Sequence, residues 1–103
     1  MYKRQIYAII CEDIENSLPK RLEKRPEHRA RLDALQAQGK LIMAGPFPAV
    51  DSNEPGEAGF SGSLIVAEFE SLEAAEKWAA EDPFSLNGTY ASVTVKPFKK
   101  IFS

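Results

Sequence analysis

The sequence predicts an α+β fold: a ferredoxin-like βαββαβ chain whose four-stranded antiparallel sheet carries two helices on one face. Three observations predict it. Four short segments of strong β preference occur in a chain of 103 residues, and two amphipathic helical segments fall between the first and second and between the third and fourth. The second and third strands follow one another with only a loop between them. Two right-handed crossovers joined by a hairpin give the split βαβ arrangement, with the helices antiparallel.

The first strand, Gln5 to Cys11, reads Gln-Ile-Tyr-Ala-Ile-Ile-Cys, apolar on both faces or nearly so, and is followed by Glu12-Asp13. Asn16 and Ser17 are good N-cap residues before Leu18-Pro19, so a helix begins there and runs, kinked at Pro26, to about Gln38. Gly39 ends it as a C′ glycine. Its polar side carries Lys20, Arg21, Lys24, Arg25, Arg29 and Arg31 among Glu23, Glu27 and Asp33, which reads as a solvated face laced with ion pairs.

Leu41 to Ala44 begins the second strand, interrupted by Gly45-Pro46-Phe47-Pro48. Two prolines so close cannot lie in a central ladder, so this is an edge strand with a bulge or bend, and Gly45 allows a ligand or another backbone to come close. Asp51 to Gly62 is a loop by composition. Ser63 to Phe69 is the third strand. Ser71 caps the second helix, Leu72 to about Ala80, with Leu72, Ala75, Trp78 and Ala79 on its apolar side. Asp82-Pro83-Phe84 ends that helix and Ser85 to Gly88 is a loop. Thr89 to Pro97 is the fourth strand, with Ala91, Val93 and Val95 alternating with Ser92, Thr94 and Lys96, and an amphipathic tail runs to Phe102.

Residues 1–103 suffice for one domain with a single core. Hydrophobic residues make up 44% and charged residues 27%, which argues against wholesale disorder, and a net charge of −2 gives no bulk attraction for nucleic acid or an anionic membrane. The lone Cys11 cannot form an internal disulfide and marks no oxidising compartment. No apolar run approaches the roughly 20 residues of a membrane span, and Met1-Tyr2-Lys3-Arg4 leads straight into a strand-like segment, so a cytoplasmic protein is expected.

His28, Leu32 and Leu35 fall at i, i+4 and i+7, which puts the only histidine on the leucine face of the first helix. Such a histidine is either a residue at the rim of the core or a general acid or base, and the reach of a carboxylate decides between them. Antiparallel helices bring the N-terminal end of the first beside the C-terminal end of the second. Asp82 follows Ala75 and Trp78/Ala79 at helical spacing, so it extends the inward side of its helix towards His28. Around this pair Arg25 is placed to neutralise an enolate or carboxylate, and the Gly45-Pro46 bend, Tyr7 and Ser92 are candidate pocket residues. One histidine and one cysteine far apart form no metal-ligand cluster, and no cofactor is implied.

Two helices cover only one face of a four-stranded sheet. Apolar residues on the other face of the first and third strands point to a homodimer that pairs two sheets, or to a higher oligomer built on that pairing, at about 25 cal/mol per Å² of apolar surface removed from water.

The run Arg25-Pro26-x-His28, Leu32-x-x-Leu35-x-x-x-Gly39-x-Leu41-x-x-Ala44-Gly45-Pro46, then Ala75-x-x-Trp78-x-x-x-Asp82-Pro83-Phe84, then Lys96-Pro97-Phe98, resembles the YciI-like family in order and spacing over nearly the whole chain. The resemblance implies a dimeric α+β barrel of ferredoxin-like subunits and an active site of histidine and aspartate, matching His28 and Asp82. Some relatives resemble lyases or dehydrochlorinases acting on small hydroxylated rings. The expected function is therefore acid/base chemistry of lyase, isomerase or dehydrochlorinase type on a small molecule. A non-catalytic small-molecule-binding or sensor protein on the same scaffold is the alternative. RNA binding fares badly, because Leu64 to Phe69 lacks the basic-Gly-aromatic pattern that stacks bases.

Overall fold

The computed structural model describes residues 5–102. Met1-Tyr2-Lys3-Arg4, read above as leading directly into the first strand, lies outside the described residues. The elements are β1 (Gln5–Asp13), α1 (Leu18–Ala37), β2 (Leu41–Pro48), β3 (Phe60–Phe69), α2 (Leu72–Ala80), α3 (Pro83–Leu86) and β4 (Tyr90–Phe98), with a single 3-10 turn at Gly56–Ala58 in the β2–β3 connection. The sheet has the order β2-β3-β1-β4 and every neighbouring pair is antiparallel, the ferredoxin-like arrangement expected.

Register decides which side chains meet the helices. Ile9 lies between Ile65 and Val95, and Cys11 between Ser63 and Val93, so Tyr7, Ile9, Cys11, Asp13, Ser63, Ile65, Ala67 and Phe69 share one face. Against that face pack Leu35 of α1 and Ala75 and Ala79 of α2. The opposite face carries Ile6, Ala8, Ile10, Leu64 and Val66, together with exposed Met43, Phe47 and Phe98.

β2 is the edge strand expected, but it does not break at Gly45-Pro46. It continues to Pro48, and its register shifts lie between Leu41 and Met43 and between Phe47 and Pro48. Pro46 and Pro48 are tolerated because an edge strand has one side without ladder bonds. The loop is correspondingly shorter than Asp51 to Gly62, since β3 starts at Phe60.

α1 runs unbroken through Pro26, and its end follows the glycine rule: Gly39 has φ 72°, its N–H bonds the Gln36 carbonyl at 3.0 Å and the Lys40 N–H bonds that of Leu35 at 3.0 Å. Ser17 does not cap the start. Its hydroxyl donates to Asp13 Oδ2 at 2.5 Å, and Asn16 instead makes the turn at φ 56°. Ser71 does cap α2, accepting from the Ala74 N–H at 3.0 Å.

The larger correction is in the stretch after α2. Pro83 does not merely stop a helix; it opens α3, a single turn that Asp82 caps, where a loop was expected. α3 lies against α1, tied there by Lys20 Nζ donating to the Asn87 carbonyl at 3.1 Å and Asn87 Nδ2 donating to the Lys20 carbonyl at 3.0 Å.

Candidate active site

The apolar stripe of α1 contains two polar residues that the fold buries. Arg21, His28 and Leu35 follow one another every seven positions, and all three are buried. His28 therefore stands in the middle of α1, not at its N-terminal end. Asp82 reaches it from the turn between α2 and α3. Its backbone is extended, at φ −62° and ψ 133°, so its direction comes from the cap geometry and not from helical spacing along α2.

His28 and Asp82 are 8% and 1% exposed. His28 Nδ1 lies 2.9 Å from each carboxylate oxygen of Asp82. The Phe84 N–H donates to Asp82 Oδ1 at 2.8 Å, so the carboxylate is fixed by the turn before it engages the imidazole. Phe84 then supports the ring it helps to position. Its own ring stacks on His28, centroids 4.2 Å apart and planes 19° from parallel. An Nδ1 donating to a carboxylate makes Nε2 the free acceptor, the tautomer suited to taking a proton.

His28 opens on a cavity of about 470 Å³ between α1, β2 and the start of β3. Leu18, Leu22, Leu32, Ile65 and Phe84 give it apolar walls; Arg21, Arg25, Arg29 and Asp33 bring charge to it. Arg25 lies at the rim, and Gly45 and Pro46 form part of the β2 wall. Tyr7 and Ser92 are elsewhere. Tyr7 is a core residue, its ring 6.4 Å from that of Phe69, and Ser92 pairs with Glu12 on the face of the sheet turned away from the helices.

A second buried polar group escaped the sequence reading. Arg21, assigned above to a solvated face, donates from Nε to Asp13 Oδ2 at 2.6 Å and from Nη2 to Asp13 Oδ1 at 3.0 Å, to the Gly62 carbonyl at 2.8 Å and to Ser63 Oγ at 2.9 Å. Two signals pointed to this pair. Arg21 is two turns before His28 on the same stripe, and Asp13 continues the inward parity of Tyr7, Ile9 and Cys11. By contrast, Cys11 is 1% exposed and burial pushes its thiol up to about 12, which suits a structural residue and not a nucleophile. Among the described residues no three His, Cys, Asp or Glu side chains cluster as a metal site, and no helix is long and apolar enough to cross a membrane.

Against known proteins, a family model described as the YCII-related domain matches residues 6–99. Protein YciI of Escherichia coli O6:H1 is 58% identical over 97 residues, 94% of this chain and 99% of that protein. An uncharacterized protein of Haemophilus influenzae is 55% identical over 96 residues, 93% of this chain and 98% of its own. Among solved structures, 5-chloro-2-hydroxyhydroquinone dehydrochlorinase (TftG) of Burkholderia phenoliruptrix AC1100, in complex with 2,5-dihydroxybenzoquinone, superposes with a TM-score of 0.80 at 26% identity, covering 91% of this chain and 93% of that one.

Proposed function

This chain belongs to the YCII-related domain family, and from that premise we propose that it is a small-molecule enzyme in which His28, oriented by Asp82, moves a proton on a small hydroxylated ring. The observation that carries this reading is the bond between His28 Nδ1 and a carboxylate buried behind it, with the other ring nitrogen left to a cavity of ligand size. The likeness to a dehydrochlorinase that binds 2,5-dihydroxybenzoquinone supports the substrate class and the reaction type.

In this reading Nε2 takes a proton from a ring hydroxyl or from a carbon α to a carbonyl. The electron pair left behind enters the ring as an enolate. For a halogenated ring, the protonated imidazole returns the proton to the ring carbon that bears chlorine, which becomes tetrahedral beside a new carbonyl; loss of a second hydroxyl proton then drives chloride out with the pair of its C–Cl bond and leaves a quinone, so the net change is loss of one proton and one chloride ion. Arg25 at the rim offsets the negative charge that develops. The protein acts as a cytoplasmic homodimer, its partner covering Ile6, Ile10 and Leu64 on the face of the sheet that the helices leave open.

Chloride release from 5-chloro-2-hydroxyhydroquinone tests the reaction. Turnover by the native protein, reduced about 10³-fold in His28→Asn, is the expected result. Asparagine is the choice because its amide nitrogen can keep the bond to Asp82 while nothing replaces Nε2. Undiminished turnover in that variant removes His28 from the chemistry.

A further inference from the structure

We propose that the ring bound in this cavity carries a short side chain ending in a carboxylate or a phosphate, and that Arg25 and Arg29 hold that anion at the cavity mouth. The proposal rests on the reading of the cavity as a site for a hydroxylated ring and goes further by naming what the ring carries.

Of the basic residues on α1, Lys20, Arg21, Lys24 and Arg31 all have partners. Lys20 donates to the Asn87 carbonyl, Arg21 is paired with Asp13, Lys24 lies 3.3 Å from Glu27, and Arg31 donates to the Trp78 carbonyl beside its indole. The two that remain, Arg25 and Arg29, have no hydrogen-bond, ion-pair or aromatic partner among the described residues. Both are exposed, and both line the cavity. A face laced with ion pairs gives no reason why its unpaired cations should be those beside the cavity.

The local sequence keeps them unpaired. Arg25 and Arg29 stand one turn apart on α1, about 6 Å between their Cβ atoms, and like charges so placed repel. The residues three and four positions from Arg25 along the helix are Arg21, Leu22, His28 and Arg29, none of them acidic. Across the cavity, β2 presents Leu41 to Pro46 without a charge. Asp33, a turn beyond Arg29, makes no ion pair among the described residues. One anion bridging the two guanidiniums relieves their repulsion, and the planar fork of each matches carboxylate and phosphate oxygens.

The size of the cavity agrees. A space of about 150 Å³ suffices for benzene, whereas this cavity holds about 470 Å³. Its α1 wall runs from Leu18 to Gln36, about 27 Å of helix, of which a ring beside His28 fills only a part. Arg25 lies three residues before His28 and Arg29 directly after it, so a side chain that leaves the ring towards solvent meets the pair. Arg25, which offsets charge on the ring, stands between ring and side chain. Arg29 serves the side chain alone and is the residue to vary.

The test is calorimetric titration at low ionic strength with 2,5-dihydroxyphenylacetate, its neutral methyl ester, and 2-(2,5-dihydroxyphenyl)ethyl phosphate. The native protein is expected to bind one or both anions about 10-fold or more tightly than the ester, and the anion so favoured identifies the charged group. That ratio should fall about threefold or more in Arg29→Gln, vanish in Arg29→Glu, and shrink in high salt, because an exposed charge pair is screened. Arg29 is exposed, so both variants should melt with the native protein, and the comparison of anion with ester in the native protein needs no variant. Equal binding of the ester and both anions, or a ratio unchanged in Arg29→Gln, overturns the mouth site. Either result leaves chloride release by His28 from the chlorinated ring untouched. Conversely, a ratio that persists in a protein unable to turn that ring over keeps the mouth site and removes the reaction. If none of the three rings binds, the reading of the cavity as a ring site falls and this proposal falls with it.

Discussion

His28 is positioned by a carboxylate with two duties, since Asp82 both caps α3 through the Phe84 N–H and bonds the imidazole. Asp82→Asn should therefore keep the cap, because its side-chain oxygen still accepts, but let the amide nitrogen face Nδ1 and favour the wrong tautomer. A fall in kcat of about 10²-fold or more with little change in Tm is expected, read by steady-state kinetics and thermal melting. Tyr90 gives the opposite case. Its buried hydroxyl faces the Cys11 thiol and the Ser63 hydroxyl without a hydrogen bond of good geometry, so Tyr90→Phe should change stability by no more than about 1 kcal/mol in urea unfolding.

At the scale of elements, the site depends on how closely β1, β2 and β3 approach near Gly62. A Cβ placed there would lie 2.0 Å from the Cys11 carbonyl oxygen and 3.3 Å from Phe47 Cδ2. Backbone cannot yield as a flexible side chain does, and the Gly62 carbonyl is also an acceptor for Arg21. Gly62→Ala should lower stability by about 2–4 kcal/mol, seen as a shifted denaturation midpoint. Gly45 contrasts with it, because nothing lies within 4 Å of the Cβ it lacks. α2 and α1 meet through a further contact, Arg31, whose Nη1 donates to the Trp78 carbonyl at 2.9 Å while its guanidinium carbon sits 4.3 Å from the indole centroid.

For the whole molecule, titration of the core sets an alkaline limit. Burial raises the Cys11 thiol from an ordinary 9.0 to about 12, and burial likewise raises the Tyr90 phenol. A folded-state value above the unfolded one means that the stability is fully present below about pH 9 and is lost as pH rises towards 12. The denaturation midpoint should fall across that interval, less steeply in Cys11→Ala; a flat profile in the native protein would contradict the burial. The uncovered sheet face makes a prediction of its own. Light scattering should give about twice the 11.4 kDa chain mass, and Leu64→Asp should return it to one.

Element order, the helix-ending Gly39, the cap at Ser71 and the edge character of β2 were legible because each rests on local rules: hydrophobic period, cap chemistry, and the geometry of glycine and proline. The pairing of His28 with Asp82 was legible in outline, since antiparallel helices must bring distant residues together. Its details were not. A single helical turn at Pro83–Leu86 aims Asp82, and its four residues are too few to show a period. Arg21 looked like one more surface charge in a basic run, and Tyr7 and Ser92 looked like pocket residues, because residue type alone does not say which face a side chain shares. Strand parity and register do. They turned Asp13 inward to bury Arg21, set Ser92 on the far side of the sheet and left Tyr7 in the core. Local chemistry thus determined what elements the chain contains, and the long-range pairing of strands decided which charges they enclose.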